Sequence, residues 1–85
     1  MLKPDFDTTM RNIVATLRMV KERGLTPHKL YMSNRTYISL IGIFDRAHIV
    51  MIPEGIHRTP TIYGVKIGIS DDLADNDIDI SVRLD

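Results

Sequence analysis

Cysteine is absent from this sequence, and so are long apolar runs. Without cysteine the chain forms no disulfide, thiolate nucleophile, zinc–thiolate site or iron–sulfur cluster, and a reducing compartment is the simplest expectation. No stretch approaches the roughly 18 consecutive apolar residues of a membrane-spanning helix, and residues 1–9 lack the apolar run of a signal peptide. We therefore expect neither export by that route nor a membrane partner.

A net charge is absent too, because eleven Lys and Arg residues balance eleven Asp and Glu residues. The broad electrostatic attraction of a general nucleic-acid binder is therefore missing. The charges are nevertheless unevenly placed, since residues 1–58 carry nine basic and five acidic residues, and residues 59–85 carry two and six. This polarity either cancels within the fold or lets a basic face of one copy meet an acidic face of the next.

The composition is that of an ordinary globular protein, with 44% hydrophobic and 26% charged residues. This balance argues against wholesale disorder. A chain of 85 residues has room for one hydrophobic core. We therefore expect a single domain over residues 1–85.

A first helix is predicted from the spacing of its apolar residues and from its end signals. The apolar positions at helical spacing are Met10, Ile13, Val14, Leu17 and Val20. Residues 6–9 offer several capping oxygens before them. Gly24 suits the left-handed position that follows a helix, and Pro27 prevents continuation. The helix is therefore predicted over residues 8–23.

A strand and a second helix are predicted to follow. Residues 29–32 have the pattern of a short strand. Ser33 is placed to cap a helix over residues 34–40, because a serine hydroxyl at that position accepts a hydrogen bond from a free backbone N–H. Gly42 is expected to end this helix.

Three strands are predicted in the second half of the chain. The continuous apolar run at residues 48–52 is typical of a buried strand, closed by a turn at residues 53–55. Residues 61–70 alternate partly, which predicts a strand that is bent or bulged at Gly64. In the last strand the predicted core face carries Ile78, Ile80, Val82 and Leu84, and the predicted solvent face carries Asp79, Ser81, Arg83 and Asp85. The order of elements predicts an α+β fold, with two helices packed on a small mixed or antiparallel sheet of about four strands.

Motifs for catalysis, metal binding or nucleotide binding are missing. His28, His48 and His57 lack the spacing of metal ligands. The serines lack a nucleophile elbow such as G-x-S-x-G, and the glycines occur singly, without a phosphate-binding pattern. We therefore expect no metal, no cofactor and no enzymatic activity.

The acidic segment at residues 71–79 contains the D-x-D-x-D spacing that opens a calcium-binding loop. That loop requires glycine at its sixth position, where this chain has Ile80. Calcium binding is therefore the less favoured alternative. In the favoured interpretation the segment ends one strand, forms a turn at Asn76 and Asp77, and exposes Asp79 on the next strand.

A basic face is predicted on the first helix, and Arg35, Arg46 and Arg58 would extend it towards a phosphate-bearing partner. No aromatic ladder accompanies this face, since the three tyrosines are scattered along the chain. We favour a solvated helix face, and nucleic acid is not an expected partner.

Two phrases carry a resemblance to a known family. Residues 30–37 read LYMSNRTY, and residues 62–73 read IYGVKIGISDDL, after an N-terminal helix that begins FDTTMRN. Together they resemble the major capsid proteins of tailed bacteriophages, which have the capsid and encapsulin shell fold. The axial domain of that family often shows a helix, a short strand with the first phrase, a second helix, and later the second phrase.

The resemblance implies a free-standing axial-type domain, a phage-related structural or assembly protein that acts through protein–protein contacts. Its expected partner is itself or another capsid-like protein, and its expected location is a virion or the host cytoplasm. The alternative is a small phage-encoded inhibitor or regulator that binds a host protein. The candidate basic contact residues are Arg11, Arg18, Arg35, Arg46 and Arg58, and the candidate acidic ones are Asp71, Asp72, Asp75, Asp77 and Asp79.

Overall fold

A computed structural model describes residues 5–42 and 49–83 and contains two helices and five strands in that part of the chain. In chain order these are α1 (Phe6–Glu22), β1 (Thr26–Met32), α2 (Asn34–Ile41), β2 (Ile49–Glu54), β3 (His57–Ile62), β4 (Val65–Ile69) and β5 (Asp79–Arg83). The predicted α+β class is confirmed, with one strand more than the sequence indicated.

The five strands form one mixed sheet in the order β2-β3-β4-β1-β5. β1 and β4 run parallel at its centre, and the other neighbouring strands are antiparallel. α1 packs against β1, β5 and α2. The edges of the sheet are therefore β2 and β5, and the parallel pair lies between antiparallel flanks.

The hydrophobic core lies on the face of the sheet that carries Leu30 of β1. Leu30 pairs with Ile67 of β4, and both side chains are buried, as strand alternation requires. Ile13 of α1 and Leu40 of α2 belong to the same cluster and are fully buried. The opposite face of the sheet carries polar pairs such as Lys29 of β1 beside Lys66 of β4.

α1 begins two residues earlier than predicted, because its cap is Asp5 and lies outside the candidate capping segment. The Asp5 carboxylate accepts hydrogen bonds from the backbone N–H and the hydroxyl of Thr8. The end of α1 agrees with the prediction, since Gly24 takes the left-handed conformation at φ 70°. Its N–H bonds Lys21 O at 3.0 Å, and Leu25 N bonds Val20 O at 3.1 Å, which together form a Schellman motif.

The predicted cap of α2 is confirmed. The Ser33 hydroxyl accepts a hydrogen bond from Thr36 N at 3.2 Å, and the helix ends at Gly42. β1 is longer than predicted, because it begins at Thr26 and includes Pro27. Pro27 pairs with Val82 of β5 where the register shifts between residues 27 and 29, and proline is tolerated at such an irregularity of the ladder.

The predicted single strand bent at Gly64 is wrong, because the chain reverses there and forms two strands. β3 and β4 are joined by Tyr63 and Gly64, which take φ angles of 51° and 79°. Two successive residues with positive φ are the signature of a type I′ hairpin turn. The predicted alternation holds in part, since Ile62, Val65 and Ile67 are buried, whereas Ile69 is 45% exposed.

The strand predicted at residues 48–52 is present as β2 from Ile49 onwards, but the prediction that it is buried is wrong. β2 is an edge strand, and Val50 is 59% exposed. The turn that follows contains Gly55 and Ile56, because residues 53 and 54 continue the pairing with β3. An apolar run is buried on both faces only where both faces of the sheet are covered, and here Ile49 lies on the core face while Val50 points to the other face. His48 lies outside the described residues.

The alternation predicted for the last strand holds in part. Ile78 and Ile80 pack against the core, and Asp79 and Arg83 are exposed. Val82 is only half-buried, because β5 is an edge strand. Leu84 and Asp85 lie outside the described residues.

Candidate interaction surfaces

The exposed side of α1 carries a stripe of three cations and one valine. Arg11, Val14, Arg18 and Lys21 are spaced by three, four and three residues, which aligns them along one side of a helix. The stripe borders a groove of about 440 Å³ that is also lined by Leu17 and Tyr63.

A second cavity of about 370 Å³ continues this groove towards the start of α1. It shares Val14, Arg18 and Tyr63 with the first cavity. We call the two together the cationic groove, and its lining residues are Met10, Arg11, Val14, Ala15, Leu17, Arg18, Lys21 and Tyr63. The lining contains no carboxylate among the described residues, so the groove favours an acidic partner with an apolar anchor.

Tyr63 lies in this groove with a backbone conformation that tyrosine rarely adopts. Its φ of 51° belongs to the left-handed region, which costs an ordinary L-residue about 1–2 kcal/mol. Its side chain is 52% exposed. A half-exposed tyrosine at a position that suits Gly, Asn or Asp points to a role in binding, because strained residues concentrate at functional sites.

The other flank of α1 carries charge of the opposite sign. A shallow groove of about 500 Å³ lies between the helix and the start of β5, and its two charged side chains are the exposed carboxylates Asp77 and Asp79. We call it the acidic groove, and its lining residues are Asn12, Ala15, Thr16, Leu73, Asp77, Ile78 and Asp79. α1 therefore separates a cationic surface from an acidic one.

The loop that supplies the acidic groove is held in place by Asn76. Its Oδ1 accepts hydrogen bonds from Asp5 N and the Thr9 hydroxyl, each at 2.8 Å. Its backbone O accepts from Asn12 Nδ2 at 2.8 Å, and its N–H donates to the Thr36 hydroxyl at 3.1 Å. A φ of 69° lets one residue reach all of these groups. Asn76 therefore joins the first turns of both helices.

Several of the predicted contact residues that the structure describes make contacts within the chain. Arg35 and Asp75 form an ion pair at 3.4 Å, which joins a predicted basic residue to a predicted acidic one. The Asp71 carboxylate accepts a hydrogen bond from Asn34 N at 3.1 Å, at the start of α2. Part of the charge polarity thus cancels inside the fold, as one of the two interpretations expected.

The remaining predicted residues lie at several places. Arg11 and Arg18 line the cationic groove, and Asp77 and Asp79 line the acidic groove. Asp72 is exposed in the loop after β4, and Arg58 is exposed on β3 near the β2–β3 turn, lining neither groove. Arg46 lies outside the described residues.

Sequence reasoning missed the role of Tyr63 and of Asn76. A Tyr-Gly pair is a weak turn signal, because tyrosine is not among the residues that favour positive φ. An asparagine between two aspartates does indicate a turn, but the partners of Asn76 are 40 to 71 residues away in the sequence. The sequence predicts a basic face on the first helix but not the groove beside it that Lys21 lines.

Two carboxylates outside the grooves have perturbed acidity. The Thr8 hydroxyl and N–H lower the pKa of Asp5 by bonding its ionised form. The Lys66 ammonium, 2.7 Å from Glu54 Oε2, lowers the pKa of Glu54 through a charge-assisted hydrogen bond. These carboxylates stabilise the start of α1 and the end of β2.

No protein-family model, curated protein or solved structure matches this chain. Within residues 5–42 and 49–83, no three His, Asp or Glu side chains are grouped as ligands for a metal ion. In the same part of the chain, neither helix has the length and apolar character needed to cross a membrane.

Proposed function

We propose that this protein is a phage-related structural or assembly protein, similar to a free-standing capsid axial domain. It acts by binding copies of itself or another capsid-like protein, in a virion or in the host cytoplasm, and it catalyses no reaction. The observation that carries the proposal is the pair of oppositely charged grooves on the two flanks of α1.

The placement of the two family-like phrases supports the proposal. Residues 30–37 and 62–73 are far apart in the sequence, yet they meet along the parallel pair of β1 and β4, where Leu30 lies opposite Ile67. Where these strands end, Ser70 N donates to Met32 O at 2.8 Å. The phrases that carry the resemblance therefore form one continuous structural unit.

The arrangement of the grooves suits contact between identical chains. A cationic groove on one copy and an acidic groove on the next are different surfaces, so their contact is heterologous and repeats from copy to copy. Such contacts generate rings when the rotation closes and filaments when it does not. Shell and ring assemblies both require this kind of repeated contact.

The energetics indicate an assembly that depends on concentration and salt. Exposed ion pairs contribute about 0.2–1 kcal/mol each, so the charges mainly orient the partners. The apolar part of the contact is small, because the exposed apolar side chains of the cationic groove are chiefly Val14 and Tyr63. We expect association at high protein concentration and dissociation in salt, because about 1 M salt shortens the screening length to about 3 Å.

Size-exclusion chromatography with light scattering, across protein concentration and salt, tests the proposal. We expect oligomers that grow with concentration and dissolve in salt. Arg18→Glu should weaken them, because it reverses a charge in the cationic groove. Arg58→Glu makes the same charge change outside both grooves and should leave assembly intact.

A monomer at every concentration and salt level would contradict self-assembly. If that monomer also fails to bind a capsid-like chain, the role of a small inhibitor or regulator of a host protein takes its place. Equal effects of Arg18→Glu and Arg58→Glu would show that net charge, and not the groove, controls association.

A further inference from the structure

β2 forms one edge of the sheet, because among the described residues it pairs with β3 alone. Residues 49–53 carry no charge, and Val50 and Met51 are 59% and 37% exposed. An edge strand presents a row of unpaired N–H and C=O groups, and proteins normally protect it with charged side chains. β2 therefore offers an apolar strand to a further strand.

The register of β2 on β3 determines which backbone groups point inward. Glu54 and His57 flank a two-residue loop, so they form a hydrogen-bonded pair. Hydrogen-bonded and non-hydrogen-bonded pairs alternate along an antiparallel ladder. Ile52 and Val50 therefore also direct their N–H and C=O groups towards β3.

The alternate residues of β2, which are Ile49, Met51 and Pro53, point their backbone groups towards the free edge. The second hairpin gives the same result independently. Ile62 and Val65 flank the loop between β3 and β4, so Ile62 bonds β4 and leaves Ile49, its partner on β2, facing outward. The outward groups are the N–H and C=O of Ile49 and Met51, and the C=O of Pro53.

Pro53 limits how far a further strand can pair. It has no N–H, and proline inside a sheet is confined to positions where that N–H would face away from a partner strand. Full pairing is therefore available only at Ile49 and Met51. The opposite edge of the sheet differs, because β5 carries the exposed charges of Asp79 and Arg83.

We infer that β2 pairs antiparallel with β2 of a second copy, with Ile49 of each chain opposite Met51 of the other. In this register every outward N–H and C=O group of the two residues is bonded. Val50 of each chain then lies directly opposite Val50 of the other, in a non-hydrogen-bonded pair about 4.5 Å apart at Cα. An uncharged strand meets its own copy without like-charge repulsion, which makes a second copy the fitting partner.

The inference rests on the proposed function, because it names a second copy as the partner. Its contact is nevertheless separate from the grooves, since no residue of β2 lines either of them. The β2 contact is two-fold symmetric and apolar, whereas the groove contact is heterologous and charged. Salt therefore distinguishes them.

A cysteine at position 50 tests the pairing, because the natural chain contains no thiol. In the inferred register, Val50→Cys places two thiols within the Cα separation of about 4.4–6.8 Å that a disulfide requires. We expect a covalent dimer under mild oxidation with oxidised glutathione, seen by intact mass. The control is Ile56→Cys, whose position is 95% exposed in the adjacent turn and is easier to reach by random collision.

We expect Val50→Cys to cross-link at least about tenfold faster than Ile56→Cys. A tenfold ratio of rates corresponds to a preference of about 1.4 kcal/mol for the paired arrangement. Adding Met51→Pro should abolish the difference, because it removes an outward N–H and leaves the bonds to β3 in place. The cross-link should persist in about 1 M salt, where the groove contact is screened. Equal rates for both cysteine variants, or no effect of Met51→Pro, would overturn the inference, whatever the outcome for the grooves.

Discussion

The amide oxygen of Asn76 accepts a hydrogen bond from the Thr9 hydroxyl at 2.8 Å, and this contact joins residues 67 positions apart. Thr9 is fully buried in α1, so its hydroxyl has no access to solvent. The same oxygen also binds Asp5 N at the cap of α1. The asparagine side chain therefore supplies two of the hydrogen bonds that position the acidic groove relative to α1.

Asn76→Ala should lower the free energy of unfolding by about 2–4 kcal/mol. The change leaves the Thr9 hydroxyl unpaired, at a cost of about 1–3 kcal/mol, and it places alanine at a positive φ that asparagine tolerates better. Asn76→Gly is the matched control, because it keeps the backbone conformation and removes the same side chain. Urea unfolding should rank wild type above Asn76→Gly and Asn76→Gly above Asn76→Ala. A loss below about 0.5 kcal/mol for Asn76→Ala, the range of ordinary surface substitutions, would contradict the role of this residue.

Asp5 gives the fold a dependence on acidic pH. Its pKa in the folded state lies below the ordinary value of 3.8, because Thr8 bonds the ionised carboxylate. A lowered folded pKa contributes stability that is present above the unfolded pKa and is lost as pH falls through the folded pKa. Asp5→Asn retains a capping side chain but does not titrate.

The difference in unfolding free energy between wild type and Asp5→Asn should be constant at neutral pH. Below about pH 4 it should shift against the wild type, as its carboxylate becomes protonated. Urea unfolding at a series of pH values measures this difference. Curves that stay parallel down to the acid limit would show that the cap of α1 does not depend on the charge of Asp5.

Tyr63 is predicted to serve association more than folding. Tyr63→Asn should change the unfolding free energy by no more than about 1 kcal/mol, because asparagine tolerates positive φ better than tyrosine does. The same change should weaken assembly by about tenfold or more, since buried tyrosines often dominate protein interfaces. Thermal unfolding and light scattering on the same sample separate the two effects. A large loss of stability with unchanged assembly would assign Tyr63 to the fold alone.

Much of the fold could be predicted from the sequence, because its signals are local. The ends of α2 and the left-handed Gly24 follow from residues within one turn of the helix they delimit. The failures concern partners that are distant in sequence. The apolar run of β2 is the same whether one face of the sheet is covered or both are, and only the tertiary packing shows that Val50 is exposed.

The candidate surfaces could be predicted only as a charge asymmetry. Composition shows that basic and acidic residues are separated along the chain, but not which of them meet in the fold. The charges of Arg35 and Asp75 neutralise each other, because the loop after β4 lies against the start of α2. Arg18 and Asp77 instead lie on opposite flanks of α1. Their positions depend on tertiary contacts, such as those of Asn76, that have no local signature.

The central claim is that the two grooves of one chain fit each other on neighbouring copies, and exchange of their charges tests it most directly. One variant carries Arg18→Glu with Lys21→Glu, a second carries Asp77→Lys with Asp79→Lys, and a third carries all of these changes. The third variant keeps the formal net charge of the wild type, so net repulsion between its copies is the same as in the wild type. Thermal unfolding confirms beforehand that each variant is folded.

Light scattering across concentration at low salt is the measurement. The first two variants each have two grooves of like sign and should remain monomeric, because like charges then face each other. The third variant should assemble as the wild type does, since both grooves have changed sign together. Assembly of the third variant no stronger than that of the first two, or undiminished assembly of either of these, would contradict the contact between the grooves.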